Sequence, residues 1–187
     1  MTKTLLLLAV LALPPRATTK TEDTPMVWAF QHFCADETFT PDEARLAIAL
    51  AGGKQRGPAA STRSPLPMSV TLWDITIGGH KLGIALSAER MPAGPHGVAD
   101  MAACTVDANG PDDAGVAALR RWAAIAPSMT PSPRIAIYRF TSEQGRHIPV
   151  PAADAGSAAG HVWQLNVTDG KFATVTLMRF FKTRENS

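Results

Sequence analysis

The residues able to do chemistry are few and scattered. Histidines stand at His32, His80, His96, His147 and His161, and cysteines at Cys34 and Cys104. None has the spacing of a metal site: H-x3-H, HExxH and CxxC are all missing. His32-x-Cys34 comes nearest, and with Cys104 it would offer three zinc ligands if both thiols were reduced. Residues two apart on a helix point to different faces, which argues against it. The sequence therefore implies no metal and no cofactor. Gly156-Ser157-Ala158-Ala159-Gly160 misses the G-x-S-x-G spacing of a serine nucleophile. Asp74 is the remaining candidate. If this strand carboxylate faced a cavity with His80 or Asp100, its pKa would rise and it would serve as a general base. His96 or His147 could equally supply the histidine of such a dispersed site. The plainer alternative is an exposed Asp.

These residues need elements to hold them. His161–Phe181 reads as two β-rich runs about Asp169-Gly170, a type I′ turn pair. Met68–Ile77 and His80–Ser87 flank Gly78-Gly79 and make a second hairpin. Trp73, Ile75 and Ile77 alternate with Asp74 and Thr76, and Leu82, Ile84 and Leu86 with Lys81, Gly83 and Ala85, so each strand has one apolar face. Val98–Val106 is a further strand. In Arg134–Thr141, Ile135 and Ile137 alternate against Arg134 and Ala136. Thr24-Pro25 starts a helix whose Met26, Phe30 and Cys34 share a face. Thr40-Pro41-Asp42-Glu43 is a capping box for a helix ending at Gly52-Gly53, with Leu46, Ala49 and Leu50 on one face. Asp112 and Asp113 open a third helix with Val116, Leu119 and Ala123 in a stripe. Residues 52–67, 91–97 and 142–160 read as loops. The order predicts an α+β fold, with a mainly antiparallel sheet of about six strands and helices packed on one face. Each half carries a helix followed by three strands.

The chain has 187 residues, 45% hydrophobic and 18% charged, which suits one domain with a real core. Lys3 followed by Leu5–Leu13 has the form of an export signal; the apolar run is shorter than the roughly 20 residues that span a bilayer. Cleavage after Ala17 gives a signal peptide at 1–17 and a single α+β domain at 18–187, with no stable membrane span. It also removes Lys3 and Arg16 from the 18 basic residues, balancing the rest against 16 acidic ones. No general case for nucleic acid survives that balance. In an oxidising compartment two cysteines suggest one disulfide, and two buried free thiols are the alternative if the chain is not exported.

Phe30-x3-Cys34, a capped helix ending at Ala51-Gly52-Gly53, a later Cys104 and a closing hairpin that carries Trp163 resemble small exported alphaproteobacterial proteins of unknown function. The resemblance implies export and a Cys34–Cys104 bridge, and no activity.

Two surface features bear on partners. Arg120, Arg121, Arg134, Arg139 and Arg146 outnumber Glu143 and Asp154 across 114–168, which fits a solvated surface or an anionic ligand. Trp28, Trp73, Trp122 and Trp163 fall one per element, as core anchors do. Together the readings point to a non-enzymatic periplasmic or secreted domain that binds a protein or small ligand. A hydrolase using Asp74 and a histidine, or an envelope-associated structural protein, is the alternative.

Overall fold

A computed structural model describes residues 24–36, 40–56, 68–92, 98–151 and 162–182. The expected signal at 1–17, His96, His161 and the Gly156–Gly160 run lie outside them. Three helices, α1 (Pro25–Phe33), α2 (Pro41–Leu50) and α3 (Asp113–Ala123), accompany nine strands. These are β1 (Lys54–Gln55), β2 (Met68–Ile77), β3 (His80–Pro92), β4 (Val98–Asp107), β5 (Met129–Ser132), β6 (Ile135–Glu143), β7 (Arg146–Pro149), β8 (Val162–Thr168) and β9 (Thr174–Lys182). All pair antiparallel in one sheet, ordered β1-β2-β3-β4-β9-β8-β6-β5. β7 joins β6 on the same edge as β5, since β8 occupies the other.

The α+β class and the antiparallel sheet are as expected, and the strand count is higher. The three extra strands are short. β1 lies in the segment read as a loop after Gly53, β5 in the proline-rich stretch before Arg134, and β7 in the segment read as one long loop from 142. There Gln144 and Gly145 take φ of 52° and 76° and close a tight β6–β7 hairpin of the I′ kind. The two halves are wound alike. β2-β3-β4 follows α2, β6-β8-β9 follows α3, and the last strands of the two sets, β4 and β9, meet at the centre of the sheet.

All three helices lie over one face. α1 packs on β3 and β4, α2 on the same pair, and α3 on β8 and β9. Beneath them Trp73, Ile75, Leu82, Ile84, Leu86, Cys104, Val106, Leu165, Val167, Val175 and Leu177 form the core, with Met26, Phe30 and Leu119 from above. Two faces differ from expectation. On α2 the buried residues are Ala44 and Ile48, while Leu46 and Leu50 are 62% and 80% exposed. On β6 the buried set is Ala136, Tyr138 and Phe140, and Ile135 and Ile137 are half-buried on the bare side. A one-residue change of parity exchanges the faces of a strand.

The helix starts are linked. Thr24 Oγ1 accepts from Val27 N at 3.4 Å to cap α1 and donates to Asp112 Oδ2 at 2.8 Å. Asp112 Oδ1 in turn accepts from Gly115 N at 2.9 Å to cap α3. A Cβ on residue 115 would come within 2.3 Å of Asp112 Oδ2 and 2.6 Å of Thr24 Oγ1. Only glycine leaves room for this joint cap.

Candidate functional site

Cys34 and Cys104 form a disulfide across a sequence separation of 70. Both are fully buried. The bond fastens the C-terminal end of α1 to the middle of β4. Cys104 is the register partner of Leu177 on β9, so the fastening point lies beside the centre of the sheet. The sulfurs are thus committed to each other. Nearby His32 stacks on Trp28, ring centroids 3.8 Å apart, and donates from Nδ1 to Trp28 O at 2.9 Å. Among the described residues no three His, Cys, Asp or Glu side chains gather as a metal site.

Asp74 stands on the bare face of the sheet, half exposed. Arg56, next to β1, holds it with two bonds: Nε to Oδ2 at 2.6 Å and Nη2 to Oδ1. Hydrogen bonding from the Arg56 guanidinium keeps the Asp74 carboxyl below the usual carboxylate range, with desolvation opposing it and the Arg56 and Lys81 charges adding to it. That is the reverse of what a general base needs at neutral pH. His80 lies at the exposed tip of the β2–β3 hairpin, three register steps from Gly83, the partner of Asp74, or about 10 Å along the strand. Asp100, by parity with Cys104, belongs to the helix-covered side. The structure therefore does not bring Asp74 to His80, Asp100 or His147.

His147 lies on the other side of the sheet, at the mouth of the molecule's aromatic cleft. Nδ1 donates to Ala123 O at 2.8 Å, satisfying a carbonyl that the end of α3 leaves free. This bond leaves Nε2 as the acceptor when the ring is neutral. The imidazole packs on Phe140, centroids 4.1 Å apart, and on Trp122 at 4.6 Å. Trp122 also meets Phe30 edge-on at 5.0 Å. The cleft, about 1050 Å³, is floored by Trp163 and Leu177 and walled by Trp122, Phe140 and His147. Gln31, Asp36, Ser142 and Arg146 are the other polar side chains in its lining. The Arg179 guanidinium lies 4.9 Å from the Trp163 ring centre. Two of the four tryptophans thus converge here, which their even distribution along the chain did not suggest. No sequence period links 122, 140, 147 and 163; only the β6–β7 hairpin and the placement of α3 bring them together.

The disulfide sets one wall. Gln31, Ala35 and Asp36 reach the cleft from the end of α1, and Cys34 lies among them. What the arrangement can do chemically is enclose a flat apolar group and hydrogen-bond it. In class, then, this is an antiparallel α+β domain with a disulfide-braced aromatic cleft. Compared with protein-family models, curated proteins and solved structures, the chain finds no match. No helix among the described residues is long and apolar enough to cross a membrane.

Proposed function

We propose that this chain is an exported, periplasmic or secreted, non-enzymatic domain that binds a small, partly apolar ligand. The observation that carries the reading is the cleft at His147. Trp122, Phe140, His147 and Trp163 converge in its lining beside Leu177, its volume is just above the roughly 300–1,000 Å³ range usual for small-molecule sites, and polar side chains share the lining. The braced wall supports export, because a buried disulfide is made and kept in oxidising compartments. The resemblance to small exported alphaproteobacterial proteins agrees with export and the bridge, and does not bear on the ligand.

The test is intact mass, native and denatured, without reductant, on protein produced with its own N-terminus. The reading expects a chain beginning at Thr18, two hydrogens short of the reduced mass, with an adduct that denaturation releases. The adduct mass would give the ligand class. An uncleaved chain with free thiols contradicts export. A cleaved, oxidised chain that carries no adduct, and gains none from an extract of its own compartment, contradicts the ligand.

A further inference from the structure

Apart from the aromatic cleft and from the recess that Asp74 helps line, another recess lies at the β5–β6 edge, with Arg120 of α3 also in its lining. It measures about 680 Å³. Its polar groups are all able to donate: the Arg120 guanidinium and the hydroxyls of Tyr138, Thr130 and Ser132. The rest of the lining is proline, alanine and isoleucine, and no carboxylate takes part. The Arg120 Nε is buried with no hydrogen-bond partner among the described residues. A guanidinium nitrogen removed from water with nothing to bond is costly.

The neighbouring groups are arranged to donate as well. Ser132 Oγ already accepts from Arg134 N at 3.3 Å, which leaves its proton for something else. Tyr138 is 3% exposed. Burial pushes its phenol up from the ordinary value, with Arg120 only partly opposing, so it keeps its proton at neutral pH. A cation, a phenol and two hydroxyls around a space without a carboxylate fit one chemical class. Arg pairs its fork with two oxygens of a planar or tetrahedral oxyanion, and hydroxyls complete the shell.

We infer that the Arg120–Tyr138 recess is a binding site for an oxyanion group, carboxylate or phosphate, separate from the aromatic cleft. The site stands on its own lining and does not depend on what the cleft binds.

The test uses the full oxidised chain labelled with ¹⁵N. It is titrated with sodium phosphate and, separately, with sodium acetate, chloride holding ionic strength constant. The signal followed is the Arg120 Nε–Hε correlation, with the Tyr138 ring as a second reporter. Saturable shifts of both are expected. Saturation by phosphate alone assigns a phosphate site, by acetate alone a carboxylate site, and by both a general oxyanion site. Tyr138→Phe should weaken binding about tenfold, and Arg120→Gln should abolish it. Arg120→Lys, which keeps the charge without the fork, should retain a weakened remnant. No saturable shift with either anion overturns the inference, as does unchanged affinity in a folded Arg120→Gln variant.

Discussion

The two faces of the sheet use the same kinds of residue to opposite ends. On the bare face Asp74 meets Arg56 in the lining of a recess of about 790 Å³, and both side chains stay about half exposed. On the covered face His147 meets Ala123 O, Phe140 and Trp122 under the end of α3. The bare pair is a surface ion pair of the sort that contributes little. The covered group joins the sheet to a helix and shapes a cleft. A polar residue thus gains functional weight here from what packs around it, not from its charge. The disulfide sharpens the contrast, because it fixes a wall of the cleft and touches nothing on the bare side.

Removing that brace should give the largest effect. Replacing Cys34 and Cys104 by serine together frees a 70-residue separation in the unfolded chain. On the loop-entropy account this costs on the order of 4 kcal/mol, or roughly 10 °C in Tm. Thermal unfolding followed by circular dichroism measures it. The cleft signals, Trp122 above all, should broaden before the bare-face signals do. Equal loss on both faces would break the comparison.

The next effect tests α2, whose two sides repeat the contrast on a smaller scale. Ile48→Ala removes a fully buried side chain and should cost about 3 kcal/mol in denaturant unfolding. Leu50→Ala removes a mostly exposed one and should change stability by less than about 0.5 kcal/mol. The reverse order would restore the Leu46–Ala49–Leu50 face as the packed one.

The smallest effect belongs to Asp74. Asp74→Asn should move Tm by no more than about 1 °C at neutral pH. The sign follows from Arg56, which holds the folded carboxyl below its unfolded value. Any stabilisation is therefore present above the unfolded pKa, near 4, and is lost as pH falls through the lower folded pKa. The difference between wild type and Asp74→Asn should vanish in that acid window. A difference that grew as pH fell would contradict the pairing.

Much of the fold is legible in residues whose signals are local. Thr24-Pro25, Thr40-Pro41 and Asp112-Asp113 mark the three helix starts, and Gly78-Gly79 marks the β2–β3 turn. Asp169-Gly170 marks the place of the β8–β9 hairpin but not its turn: the expected two-residue type I′ turn is a five-residue connection, 169–173, and Asp169 does not take positive φ. What hides is what local pattern cannot carry. β1 has two residues and no period to show. β5 contains Pro131, which reads as a breaker and is tolerated because it sits on the sheet's edge. β6 mixes Ile135 and Ile137 with Ala136, Tyr138 and Phe140, so ranking by hydropathy picks the wrong face. On α2 it favours leucines, but Gly53 folds back against Ile48, and only Ala44 and Ile48 fit beneath. Of the site, the cysteine pair was legible as a pair, and His147 as a single candidate. Its aromatic partners were not, since their contacts span the chain from Phe30 to Trp163.

On the proposed reading the functional surface is the aromatic cleft at His147 and not the bare face at Asp74. The most direct test of that reading is an NMR titration of the oxidised chain with the neutral dye N-phenylnaphthylamine. The signals to follow are the Trp122 and Trp163 indoles, the His147 ring and the Arg56 Nε–Hε group. Saturable shifts of the two indoles and of His147 are expected, with loss of the remaining shifts in Trp122→Leu and a silent Arg56. Shifts centred on Arg56 and on Lys81 and Phe172, which line the same recess as Asp74, with His147 unmoved, would overturn that reading.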